Sequence, residues 1–117
     1  MGRGKTAPRN LTAVKHIFSK YQYRARNRGQ IWNLSLVYFK ELIGRACIYC
    51  ERPPGNIYKG PLGFRLFYQG VDRVINDEGY TEGNTVPCCK ECNAIKSNIL
   101  NASEMLAAMR AIKKVRK

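Results

Sequence analysis

The sequence predicts a single α+β domain, with helices at both ends and short strands between them. Three observations carry that prediction. Apolar residues recur at helical spacing in three stretches, an aromatic and β-branched run occupies the middle, and two of the cysteine intervals match. A chain of 117 residues fits one domain. It can bury a core, but a modest one, so a covalent or metal staple would add needed stability.

Residues 1–9, "MGRGKTAPR", combine glycine, proline and basic residues and read as a disordered basic N-terminus. Residues 10–45 read as lead-in helices. From Asn10 to about Asn27, Leu11, Val14, Ile17, Phe18 and Tyr21 mark one face of a helix that Gly29 ends, while Lys15, Lys20, Arg24 and Arg26 line the other. "QIWNLS" (30–35) is a short extended piece. Ser35 can cap a helix over residues 36–43, with Leu36, Phe39, Leu42 and Ile43 inward and Gly44 as its stop.

Residues 46–100 form the expected core. "RPPGN" (52–56) is a loop by its proline and glycine content. "FRLFYQGVDRVI" (64–75) reads as one strand, bent at Gly70, and "TVP" (85–87) as a second short strand after the turn-rich "NDEGYTEGN" (76–84). A helix starts near the second cysteine pair and runs over residues 90–100. Over residues 101–117 a basic C-terminal helix follows, where Asn101 and Glu104 form a capping box for residues 102–115 and Met105, Leu106, Met109 and Ile112 supply its apolar stripe.

Lysine and arginine total 21 against 8 acids, a net charge of +13. Residues 1–30 carry eight basic residues and no acid, and the last eight residues carry five more. Ends of one sign, with nothing to neutralise them, point to a polyanion such as nucleic acid. An anionic membrane fits less well, because the basic segments lack a broad tryptophan- and phenylalanine-rich face. With no run of eighteen apolar residues and no apolar leader after Met1, the chain reads as soluble and cytoplasmic.

Cys47-x-x-Cys50 and Cys89-x-x-Cys92 are separated by 38 residues. A two-residue gap lets both thiolates of a pair reach one tetrahedral ion, and two such pairs form a closed, structural Zn²⁺ site. Cys88, the fifth cysteine, reads as a small buried hydrophobe. The site would close the long loop that holds the central strands, so its loss should unfold that centre.

Within this frame "CIYC", "GVDR", "NDEGYTEGN", "VPCCKECN" and the following Lys96 resemble the zinc-stapled HNH endonucleases of the ββα-metal (His-Me finger) superfamily, notably the small phage type and, distantly, phage endonuclease VII. The resemblance spans about residues 46–100. It implies a ββα-metal core and cleavage or nicking of double-stranded or branched DNA by a monomer or homodimer, in the host cytoplasm if phage-encoded. It also implies that Asp72 and Asn93 hold a catalytic Mg²⁺ or Mn²⁺, two oxygen donors suited to a hard cation, and that Asn84 holds the intervening loop. Arg24, Arg26, Arg65, Lys90 and Lys96 are the candidate phosphate contacts.

Arg73 occupies the place where the resemblance implies a histidine base. Arginine stays protonated and cannot take a proton from water. It can clamp a phosphate oxygen. Three readings follow: an active enzyme in which Arg73 holds the scissile phosphate and another group or hydroxide is the base; a zinc-dependent DNA-binding module that does not cut; or an Asp72–Arg73 structural salt bridge. A phage RNA-binding or assembly factor on the same fold is a further alternative. His16, the lone histidine, reads as packing or surface. Asp77 and Glu78 read as loop acids and Tyr80 as loop packing.

Overall fold

The computed structural model of the chain describes residues 3–116, with side chains from residue 9 onward. The order is α1 (Arg3–Asn27), β1 (Trp32–Asn33), α2 (Leu36–Ile43), β2 (Asn56–Lys59), β3 (Arg65–Tyr68), β4 (Gly70–Arg73), β5 (Tyr80–Thr81), β6 (Thr85–Cys88), α3 (Lys90–Lys96) and α4 (Ala102–Val115), with single 3-10 turns at Pro61–Gly63 and Glu82–Asn84. No helix is long and apolar enough to cross a membrane.

Helix α1 begins at Arg3, so residues 3–9 are helical where disorder was expected; Met1 and Gly2 lie outside the described residues, as does Lys117 at the end of the basic tail. Once a helix is nucleated, each added residue gains a hydrogen bond for two fixed dihedrals, which extends it past a poor helix-forming sequence. Gly29 ends it in the left-handed region at φ 70, with Gln30 N–H reaching back to Ala25 O at 2.8 Å.

The expected strand over 64–75 is two strands in different sheets. β3 pairs antiparallel with β2, and β4 pairs antiparallel with β6. The break falls at Gln69, which is buried and donates from Nε2 to Arg45 O and Arg52 O at 3.1 Å each, while its backbone N–H goes to Ile43 O at 2.7 Å. At Gly70 a Cβ would meet Cys88 O at 2.7 Å, so glycine permits the β4–β6 approach. β1 pairs in parallel with β5. There Gly79 lies against Ile31, leaving 2.6 Å where a Cβ would go.

Two apolar clusters support these elements. Val14 and Ile17 of α1, Phe39, Leu42 and Ile43 of α2, Leu34 and Val71 form the first. Leu11, placed on the inward face by the pattern, is instead exposed. The second gathers the cysteines with Tyr49, Met105 and Met109, so α4 covers the knuckles. Its start carries the expected capping box, Glu104 N–H to Asn101 Oδ1 at 2.8 Å and Asn101 N–H to Glu104 Oε1 at 2.9 Å.

Candidate active site

The staple comes first, because it fixes where β4, β6 and α3 meet. The sulfurs of Cys47, Cys50, Cys89 and Cys92 all lie within 4.8 Å of one another, and Cys50 Sγ is 3.6 Å from Cys89 Sγ. A tetrahedral ion with sulfur at about 2.3 Å needs sulfurs roughly 3.8 Å apart, so the cluster has the size to hold Zn²⁺. Cys47 and Cys50 come from the turn after α2, whose Ile48 N–H bonds Pro87 O of β6 at 2.9 Å. Cys89 caps α3, accepting from Cys92 N–H at 3.4 Å. Burial raises the Cys47 thiol, but backbone N–H groups from Cys50, Cys89 and Tyr49 outweigh it and bring it down to about 7. Burial pushes Cys89 and Cys92 up, so their thiolates call for a cation beside them. Cys88 is buried and outside the cluster.

Asp72 projects from β4 and is 7% exposed. Its Oδ2 accepts from Tyr49 Oη at 2.9 Å and from Lys96 Nζ at 3.2 Å. Both contacts fall on one oxygen, leaving Oδ1 without a hydrogen bond among the described residues. Lys96 is fully buried and also donates to Asn76 Oδ1 at 2.7 Å and Arg73 O at 3.3 Å. It was expected among the phosphate contacts; its burial and three partners place its charge on Asp72 instead. Burial and the neighbouring Asp72 raise the Tyr49 hydroxyl well above its usual range, so its proton stays on the hydrogen bond to the carboxylate.

Arg73 does not pair with Asp72. Its Nη1 donates to Asn76 O at 2.6 Å, and the guanidinium lies over the Tyr80 ring at 5.4 Å. Gln30, with its amide oxygen turned inward, accepts from Nη1 at 2.9 Å and Nη2 at 3.2 Å. The carboxylate already has Lys96, and the carbonyls of the 76–78 loop draw the guanidinium away. The Asp72–Arg73 salt bridge, the third of the three readings, is therefore not formed, and Asp72 pairs with Lys96 instead.

Asn84, buried at the end of a 3-10 turn, spans that loop: its Oδ1 accepts from Ile75 N–H at 2.8 Å, and its Nδ2 donates to Gly79 O at 2.9 Å and Ile75 O at 3.2 Å. Asn93 on α3 is exposed and lines a cleft of about 370 Å³ together with Asp72, Arg73, Arg28 and Gln30. A second cleft of about 380 Å³ also borders Asn93 and adds Arg24, Lys90 and Tyr68. Arg26 is exposed and borders neither, and Arg65 lies on β3, away from both. His16 stacks on Tyr58 at 5.9 Å, while Asp77 and Glu78 are exposed loop residues; none of the three lines the cleft.

Sequence reasoning missed Tyr49, Gln30 and the structural role of Lys96. Tyr49 stands inside the first cysteine knuckle, and that position was its one available signal.

An antiparallel β4–β6 pair leading into α3, with Asp72 and Asn93 on one cleft, is the fold of an HNH endonuclease, here with a four-cysteine cluster beside it. Among solved structures the chain is similar to the rare-cutting HNH restriction endonuclease PacI, at 29% identity and a TM-score of 0.68 over 87% of this chain and 78% of that one. It is also 33% identical over 81 residues to uncharacterized protein R423 of Acanthamoeba polyphaga mimivirus, a match that covers 69% of this chain and 14% of that protein. The chain thus spans about a seventh of that relative's length. No family model matches the sequence. Neither relative bears on a phage origin.

Proposed function

We propose that the chain is a metal-dependent DNA endonuclease of HNH type that nicks or cleaves phosphodiester bonds, with Zn²⁺ in the four-cysteine cluster and Mg²⁺ or Mn²⁺ between Asp72 and Asn93. One observation carries the reading: a buried carboxylate is fixed through one oxygen by Tyr49 and Lys96, and shares an open, cation-rimmed cleft with Asn93. Two oxygen donors suit Mg²⁺, which keeps several waters and takes phosphate oxygens. When bound, the cation supplies charge relief on the phosphate and makes water more acidic. The nuclease fold shared with PacI supports DNA as the substrate. Free thiols in an unpaired set of five fit a reducing compartment such as the cytoplasm.

The chain's own residues divide the remaining work. Tyr49 and Lys96 orient Asp72, and Asn84 holds the 75–79 loop that carries the carbonyls bound by Arg73. Arg73 presents fixed positive charge at the cleft, where it can stabilise a phosphate oxygen as charge builds. No histidine lines the cleft among the described residues, which leaves hydroxide from solvent as the base in this reading. The rate then rises with pH across the neutral range without the falling limb that a histidine acid would add.

Plasmid nicking with Mg²⁺, Mn²⁺ or no divalent cation tests this, comparing wild type with Asp72→Asn and Asn93→Ala at equal zinc content. Wild type should nick, and each variant should lose at least about two orders of magnitude, on the scale of removing a charge-stabilising group. Absence of nicking by wild type in every metal, at concentrations that bind DNA, would sink the enzyme reading. A second reading, a DNA-binding zinc module that does not cut, is favoured by one feature: the Arg73 guanidinium is already engaged by Asn76, Gln30 and Tyr80.

A further inference from the structure

One charged surface lies beyond the cleft: the seam between α1 and the β2–β3 hairpin. His16, Lys20 and Arg24 recur every fourth residue, which places them on one inclined ridge of the helix, with Arg28 continuing the series just past its end. Contacts at three levels tie that line to the hairpin. The Arg9 guanidinium lies over the Phe64 ring at 4.7 Å, His16 stacks on Tyr58, and Lys20 and Arg24 share a cavity of about 250 Å³ with Lys59 and Tyr68. At the other end Arg28 enters the cleft that holds Asp72, Arg73 and Asn93. At about 1.5 Å per residue, α1 from Arg9 to its end at Asn27 is roughly 27 Å long, and Arg28 follows directly. Duplex DNA rises about 3.4 Å per base pair along its axis, so this length spans about eight base pairs.

No carboxylate neutralises the cations of this seam among the described residues. The four ion pairs among the described residues involve none of Lys20, Arg24, Arg28 or Lys59. Lys59 stands directly opposite Arg65 in the β2–β3 ladder, and both are exposed. Like charges opposed across strands destabilise a hairpin, and a bound polyanion would relieve that repulsion. Arg26 falls about 200° round the helix from Arg24, so it points away from the line.

We propose that this seam is the track along which duplex DNA leaves the cleft, with Lys20, Arg24 and Lys59 on its phosphates and the whole seam spanning about eight base pairs. The assignment rests on the nuclease reading for the place of the scissile bond, but it is tested by binding alone. The probe is a fluorescein-labelled 24-base-pair duplex, followed by anisotropy without added divalent cation between about 50 and 300 mM salt, a range in which each phosphate contact contributes roughly 0.9 to the log–log slope.

The triple variant Lys20→Gln/Arg24→Gln/Lys59→Gln should lower that slope by about 2.7 and weaken binding by tens- to hundredfold at about 100 mM salt. Circular dichroism and zinc content should match wild type. The comparison variant Arg110→Gln/Lys114→Gln/Arg116→Gln, on α4 and its end, should change the slope by less than about one. A triple variant with wild-type slope and affinity would overturn the proposal, as would a larger loss in the α4 variant, or a loss confined to an RNA hairpin of equal length. Nicking without a slope change rejects the track and keeps the nuclease. A slope change without nicking does the reverse.

Discussion

Replacing Lys96 with methionine isolates the most consequential interaction in the core. The Lys96 and Asp72 side chains are 0% and 8% exposed, so solvent does little to screen the pair. Methionine fills similar volume but leaves a buried carboxylate facing only Tyr49, and it strands Asn76 Oδ1 and Arg73 O. Breaking a buried pair on one side costs about 3–5 kcal/mol. That is a large part of the roughly 5–15 kcal/mol that a domain of this size holds. With a urea m-value near 2 kcal/mol/M, the midpoint should fall by about 2 M. Urea unfolding of zinc-loaded protein, followed by circular dichroism, measures this. Adding Asp72→Asn to Lys96→Met removes the uncompensated charge and should return most of the loss. A midpoint within about 0.5 M of wild type for Lys96→Met, on the same m-value scale, or no recovery in the double variant, would refute the reasoning.

Cys50→Ser should halve zinc retention or worse and expose the core to proteolysis, whereas Cys88→Ser should keep one zinc per chain; inductively coupled plasma measurements of washed protein check both. Tyr21 supplies a pH dependence. Burial, followed by the neighbouring Tyr68 and Tyr80, raises its hydroxyl from 10.0 to about 12. A folded-state value above the unfolded one means that its stabilisation is complete below pH 10 and fades as pH rises toward 12. Tyr21→Phe should remove that component from alkaline unfolding curves, leaving a shallower fall across this window.

How much of this was legible depended on how local the cause was. The cysteine pairs could be read because one ion dictates their spacing, and the α4 cap because Asn101 and Glu104 need only each other. Gly29 and Gly44 marked helix ends for the same reason. The split between β3 and β4 was hidden, because it depends on Gln69 binding carbonyls from the knuckle loop, 17 and 24 residues earlier. The two-residue pairing of β1 with β5 depends on Gly79 fitting against Ile31, which no local pattern announces. β2 is four residues long after a proline-rich loop and gave too short an alternation to register. A lysine on a short helix ordinarily faces water; the burial of Lys96 depends on an acid 24 residues upstream.

The charges around the cleft bear on how a cation would enter it. Asp72 is the one acid lining it among the described residues, and Lys96 already offsets its charge. Arg28 and Arg73 border the same space, and Lys90 borders the adjoining cleft. A divalent cation approaching the free protein therefore meets net positive charge, and the proposed pair Asp72 and Asn93 alone offers it too few oxygens for a tight site. A DNA phosphate changes both quantities, by adding negative charge and further oxygen ligands. Cation and substrate should consequently bind with positive coupling, each raising the other's affinity by the same factor. Titrating Mn²⁺ by electron paramagnetic resonance, with and without a duplex carrying slowly hydrolysed phosphorothioate linkages, measures that factor. A coupling of about 1–3 kcal/mol is the usual range and would appear as a 5- to 150-fold tighter Mn²⁺ isotherm. Equal Mn²⁺ affinity in the two titrations would mean that Asp72 and Asn93 hold the ion without help, and that Lys96 does not oppose it.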